Sequence, residues 1–235
     1  PLDSSIVFNT EPEALKVTKK GNESSRNAAA LIAKALEKIK DIISENEAML
    51  GDLDAVAGDG DHGAGMTRGS KAAAEAANWL VKEGAGAQTT LAGAGARWAE
   101  NAGGASGALW GAALIAAGNA LGDDKDLDLK TYTHAINSFV KSIQQLGGAS
   151  VGDKTMVDTQ VPFAEVFENS ISQNLGFIDA WNRAAVAATT AAKATANLTP
   201  KMGRARVLAE KSIGHQDPGA TSFSLIVSTI SSMFK

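Results

Sequence analysis

From Glu23 onward, the apolar residues of this chain fall at helical intervals, and glycine punctuates the stretches that carry them. Ala28, Leu31, Ile32, Ala35, Leu36, Ile39, Ile42 and Ile43 form one stripe with the three- and four-residue spacing of an amphipathic helix. Alanine dominates the middle of the chain, proline is scarce and alternating β-branched runs are almost missing, so intrinsic propensity points the same way. The pattern predicts a first long helix from Glu23 to about Leu50-Gly51. Further helices are predicted over 62 to about 82, 89–101, 103 to about 121, 129–146, 157–173, 177–197, 207–212 and 220–234. Glu83-Gly84, Gly122-Asp123-Asp124 and Gly147-Gly148 supply the stops. Short turns between such helices favour antiparallel neighbours in a bundle or helical barrel. The expectation is an all-α fold.

With 235 residues the chain can form one large domain or two small ones. No repeat or linker follows residue 22, so the reading is an N-terminal arm over 1–22 and one helical domain over 23–235. The net charge of −4 is dispersed, which argues against nucleic acid or an anionic membrane as partner. The absence of cysteine excludes a disulfide framework and a thiolate zinc site. Neither a signal peptide nor a run of about 18 apolar residues is evident, which gives cytoplasmic placement as the expectation. The four Trp residues are expected to serve packing, and His134 a helix surface.

The stretch Asp54-Ala-Val-Ala-Gly-Asp59-Gly-Asp61-His62-Gly63 concentrates carboxylates with no Lys or Arg between them. Like charges this close raise one another's pKa and repel unless something positive sits among them. Carboxylate oxygens are hard ligands suited to Mg²⁺ or Ca²⁺, and Gly58, Gly60 and Gly63 let the backbone bend so that they converge. The competing reading is a solvated Asp/Gly turn, with Asp61 as N-cap of the next helix. An EF-hand fails. Counted from Asp59, Ala64 stands at the glycine position and Ser70 at the bidentate Glu position; counted from Asp54, Asp59 stands where glycine is required.

Three glycine-rich turns follow. Gly103-Gly104-Ala105-Ser106-Gly107 opens an apolar helix, where unpaired N–H groups form an anion site, although close helix packing would also explain Gly111, Ala112 and Ala113. Gly147 to Met156 almost spells a P-loop, but Asp153 stands where the second glycine is required and no strand precedes it. That motif is rejected, though a polar glycine turn between apolar helices still looks built for a ligand. Finally, Met202-Gly203-Arg204-Ala205-Arg206 precedes Gly214-His215-Gln216-Asp217-Pro218-Gly219-Ala220-Thr221-Ser222, a turn feeding the last helix. Arg204 could grip phosphate through a bidentate fork, and Arg206 reads as a surface residue. His62 and His215 lack the His or Cys partners of a transition-metal site.

Together, Leu53-Asp54-x4-Asp59-Gly-Asp61-His62-Gly63, Gly103-Gly104-Ala105-Ser106-Gly107, Gly152-Asp153-Lys154-Thr155-Met156 and Gly203-Arg204-Ala205 with Asp217-Pro218-Gly219 resemble the nucleotide-binding domain of dihydroxyacetone kinases. Order and spacing agree from about residue 24 to the C-terminus. The resemblance implies a closed barrel of eight antiparallel helices with the nucleotide at one end. It implies Asp54, Asp59 and Asp61 as ligands of two Mg²⁺ ions that hold the phosphates of ATP or ADP. His62 and the turn Gly103, Gly104, Ala105 and Ser106 would line the phosphate site, with Arg204 nearby. Thr155 and Met156 would lie against adenine, and Asp217 with Gly219 near the nucleoside. The implied activity is phosphoryl transfer to a small ketose, dihydroxyacetone or a tetrose relative, held on a separate substrate-binding domain or subunit. The alternative is a subunit that retains ADP and is rephosphorylated by a phosphotransferase-system protein. The arm resembles the tether of single-chain kinases, which favours the ATP form.

Overall fold

The computed structural model describes residues 15–234, with Arg204 described through its backbone alone. Of the expected arm, residues 1–14 lie outside the described set, and 15–22 carry no helix. Gly21 donates its amide to the Gly84 carbonyl at 3.1 Å and Asn22 donates to the Asp123 carbonyl at 2.9 Å, so this segment is fastened across two interhelix turns. The Asn22 side chain then accepts the Ser25 amide at 2.8 Å as the N-cap of the first helix.

The described residues form α1 (Glu23–Glu45), α2 (Glu47–Ala55), α3 (His62–Lys82), α4 (Ala87–Ala102), α5 (Gly104–Leu121), α6 (Leu129–Gly147), α7 (Val157–Ser172), α8 (Phe177–Ala194), α9 (Ala209–Ser212) and α10 (Pro218–Ser232), with no strand among them. The fold is all-α. Eight long helices make the wall, and α2 and α9 are short additions. In chain order, α1 packs on α3, α3 on α4, α4 on α5, α5 on α6, α6 on α7, α7 on α8 and α8 on α10; α10 returns to α1 and closes the ring.

Two boundaries differ from the sequence expectation. Helical backbone does not stop at Leu50-Gly51. It breaks at Asn46, which has φ −108°, and resumes as α2 through Gly51 to Ala55. Gly51 serves close approach rather than termination: a Cβ there would lie 3.2 Å from the Gly60 carbonyl oxygen, and one on the facing Gly63 would collide with the Glu47 carbonyl. The predicted helix over 207–212 is instead a 3-10 turn at Arg204–Leu208 followed by the single turn of α9. At the end of α6, by contrast, Gly148 adopts the left-handed conformation and donates to the Gln144 carbonyl at 2.8 Å, the stop that the glycine pair predicts.

Small residues let the wall close tightly. A Cβ on Gly95 would lie 2.6 Å from the Gly111 carbonyl oxygen, and one on Gly111 equally close to the Gly95 carbonyl, so α4 and α5 meet backbone to backbone. Inside the ring sits an apolar cavity of about 410 Å³, lined by Trp110, Phe139, Phe163, Phe223, Leu36 and Leu114 among others. Trp98 and Trp110 stack beside it at 5.1 Å. Trp79 departs from the packing expectation: it is 42 % exposed on α3.

Candidate functional site

A second cavity, of about 590 Å³, opens where the turns preceding α3, α5, α7 and α10 converge. Its acidic wall starts on the last turn of α2 with Asp54 and continues through the 58–61 turn. The candidate ligand oxygens of Asp54, Asp59 and Asp61 all lie within 4.8 Å of one another. Asp61 occupies the N-cap position of α3, yet its side chain makes no capping bond, so the simple cap reading does not account for it. Asp54 accepts the His62 amide at 3.3 Å. This all-oxygen donor set fits a hard divalent metal such as Mg²⁺.

Next in chain order, His62 is buried, with its Nε2 3.0 Å from the Ser222 hydroxyl on α10. Burial pushes the imidazole pKa down, against the opposing pull of Asp54, so His62 is neutral near pH 7. Opposite the carboxylates, Gly103 and Gly104 enter α5 with φ of +70° and +62°, and among the described residues no side chain caps the exposed amides of its first turn. A Cβ at either glycine would meet nothing within 4 Å; the turn needs glycine for its backbone angles and leaves open room beside them. Arg68 holds this turn in place by donating to the carbonyls of Asn101 at 3.1 Å and Ala102 at 3.2 Å.

The apolar side is shaped by Asp158. It accepts the Thr155 amide at 2.7 Å and the Gly152 amide at 2.5 Å, which folds the 152–156 turn so that Thr155 and Met156 face the cavity. Asp153 is turned away onto the Ser150 amide at 2.8 Å and Lys201 at 3.3 Å, a geometry unlike a P-loop. Asp217 caps α10 by accepting the Ala220 amide at 2.7 Å. Dehydration of its carboxyl is the main cause that raises its pKa to about 7, with the nearby Asp158 adding to the rise and the Ala220 amide and Lys154 opposing it. Gly219 allows Met156 to approach, since a Cβ there would lie 3.3 Å from Met156 Cβ.

One cavity therefore brings together Asp54, Asp59, Asp61, His62, Gly103, Gly104, Ala105, Ser106, Thr155, Met156, Asp217 and Gly219. Gly203 and Ala205 line it on either side of Arg204, whose side chain lies outside the described set. Sequence reasoning assigned no part to Leu109, Ile143, Leu146 and Met202, which form the apolar wall, or to Lys154, which is 4 % exposed. Ile143 belongs to the apolar stripe of α6 and gave no signal apart from core; Lys154 stood inside a motif already singled out.

The DAK2 domain profile matches residues 56–232. The chain belongs to the DAK2 domain family. It is 46% identical over 215 residues to a D-erythrulose kinase of Mycolicibacterium smegmatis, an alignment covering 92% of this chain and 37% of that kinase. It is 36% identical over 187 residues to the ADP-binding subunit of the PEP-dependent dihydroxyacetone kinase of Escherichia coli, covering 80% of this chain and 88% of that subunit. The crystal structure of the dihydroxyacetone kinase of C. freundii superposes with a TM-score of 0.66 at 26% identity, covering 94% of this chain and 39% of that one. The same kinase has been solved in complex with AMP-PNP and Mg²⁺, and that structure shares the fold with a TM-score of 0.68 at 23% identity. This DAK2 chain thus spans little more than a third of the length of the erythrulose kinases it matches.

Proposed function

We propose that this DAK2 chain is the nucleotide-binding part of a dihydroxyacetone-type kinase, supplying the phosphoryl group of ATP to a small ketose held on a separate substrate-binding domain or subunit. The observation that carries the reading is the pairing, in one cavity, of three convergent carboxylates with the uncapped N-terminus of α5. Carboxylates repel phosphate, whereas exposed amides attract it, so the two make chemical sense together when a cation stands between acid and anion. Asp54, Asp59 and Asp61 would hold two Mg²⁺ ions, which neutralise phosphate charge during transfer. The amides following Gly103 and the Ser106 hydroxyl would orient the phosphates, with Arg204 near them, while Thr155 and Met156 would take the adenine and Asp217 with Gly219 the nucleoside. Neutral His62, held by Ser222, would line the phosphate end.

Similarity to erythrulose kinases at 42% to 48% identity favours a domain of a longer kinase acting on a four-carbon ketose, and we place that activity in the cytoplasm. Similarity across 88% of an ADP-binding subunit supports the second reading, ADP retained and rephosphorylated by a phosphotransferase-system protein. Nucleotide exchange separates them: ADP that survives dialysis supports the second, and exchange within seconds supports the first.

Thermal melting with ADP tests the core of the proposal. With Mg²⁺ present, nucleotide at 100 times Kd should stabilise the chain by about 2.7 kcal/mol. Removing Mg²⁺ with EDTA, or combining Asp59→Asn with Asp61→Asn, should abolish that gain. A gain that persists in the double variant would refute the metal assignment, and no gain in the unaltered chain would refute nucleotide binding.

A further inference from the structure

Between Leu198 and Ser212 the chain makes an excursion over the cavity mouth. Met202, Gly203 and Ala205 face inward, while Val207 is 81 % exposed and Leu208 39 % exposed on the outside. Such a segment buries little apolar surface of its own, so its position depends on how its two ends are tied. Both ends meet at one atom. The Lys154 ammonium donates to the Leu198 carbonyl at 3.1 Å and to the Ser212 carbonyl at 2.7 Å. Alongside, Gly214 donates to the Ala196 carbonyl at 2.9 Å and Lys201 to the Asp153 carbonyl at 3.1 Å, which narrows the same stem.

Lys154 is an unusual choice for a fastener. It is buried, at 4 % exposure, and lines the cavity. Its φ is +59°, a conformation that few residues other than glycine adopt and that persists where surrounding contacts over-determine it. Loss of hydration pulls its pKa down, and attraction to Asp217 opposes that fall. A neutral side chain of equal length would fill the space; only a multiple donor can bond two carbonyls at once.

We propose that Lys154 is a positioning residue for the nucleotide, pinning both ends of the 199–211 loop so that Met202, Gly203 and Ala205 close over the occupied cavity. This rests on the nucleotide reading above. Lys154 acts through the loop, so its loss shortens the time a nucleotide stays bound while leaving the carboxylate cluster intact.

The test compares the unaltered chain with Lys154→Met and Lys154→Arg. Trypsin probes the loop in the ligand-free chain, where Lys201, Arg204 and Arg206 offer cleavage sites. Release of a fluorescent ADP analogue with Mg²⁺ is followed by stopped flow, and Mn²⁺ binding monitors the acidic cluster. Lys154→Met should raise loop cleavage and nucleotide release by about tenfold each, with Mn²⁺ affinity unchanged. Lys154→Arg, which keeps several donors, should recover both rates to within about threefold of the original. Faster cleavage with unchanged release would reduce Lys154 to a structural brace and overturn the proposal, as would unchanged cleavage. If the unaltered chain takes up no Mg·ADP, the nucleotide reading itself has failed, a result visible before any variant is made. Should Lys154→Met lose cooperative melting, Lys154→Gln, which can reach one carbonyl, carries the same measurement with intermediate rates expected.

Discussion

The two cavities of this barrel share α5, α6, α7 and α10 as walls and are chemical opposites. At α7, Val157 and the N-cap residue Met156 face the mouth and Phe163 faces the interior; on α10, Gly219 faces the mouth and Phe223 the interior. The difference follows from position along a helix. In mid-helix every peptide group is bonded within the helix, so only side chains are on offer, and in a barrel centre those are apolar. At a helix start the first amides have no partner, and turns place glycines and carboxylates beside them. Chemistry collects at the mouth because that is where the backbone has something to offer.

The largest expected effect separates the two ends outright. Phe163 is 2 % exposed and its ring contacts those of Phe167, Trp181 and Phe223. Phe163→Ala should cost about 3–5 kcal/mol of folding stability in urea titration. The affinity for Mg·ADP, measured calorimetrically below the melting range, should stay within about threefold of the original, because the site is built from turns rather than from the rings. A comparable loss in both would show that interior packing and mouth geometry are one cooperative unit.

Asp217 sharpens the comparison from the mouth side. Its pKa is raised to about 7 from 3.8, so between those values the folded chain keeps a proton that the unfolded chain has lost. Stability from this residue is therefore full below about pH 4, declines as pH rises by at most about 1.4 kcal/mol per unit, and levels off above about pH 7. Asp217→Asn keeps an oxygen for the Ala220 amide and removes the titration. The difference between the two stability-versus-pH curves should show that slope. Parallel curves would mean that the carboxyl is better hydrated than its packing implies.

The same contrast explains what was legible in the sequence. The helices were readable because their stripes repeat, and seven of the eight wall helices begin and end within a few residues of the predicted places. Gly51 misled because a glycine in a helix marks either a stop or a close approach, and only the Gly60 carbonyl and Gly63 packed against it show which. The residues at the mouth were legible because Asp, Gly and Ser in turns carry chemistry on their faces. Leu109 and Ile143 were not, since an apolar residue lining a ligand wall looks like any core residue until the tertiary fold places it. Lys154 was hidden differently: its partners, Leu198 and Ser212, contribute only carbonyls, which no side-chain pattern encodes.

The smallest effects come from two glycines that the sequence cannot tell apart. Gly104 and Gly111 both lie on α5, but Gly111 is pressed against α4 and Gly104 opens onto the mouth. Gly111→Ala would place a Cβ 2.6 Å from the Gly95 carbonyl oxygen and 2.7 Å from Ala99 Cβ. Overpacking should cost about 1–3 kcal/mol, against which alanine's better helix propensity returns about 1 kcal/mol. Its Mg·ADP affinity should be unchanged. Gly104→Ala meets no neighbour, yet its φ of +62° costs a side chain about 1–2 kcal/mol. Relief of that strain would turn the first amides of α5 out of line, so affinity should fall by about tenfold as well. Equal affinity in the two variants would mean that the amides of α5 do not hold phosphate, and that the glycine pair only shapes a turn.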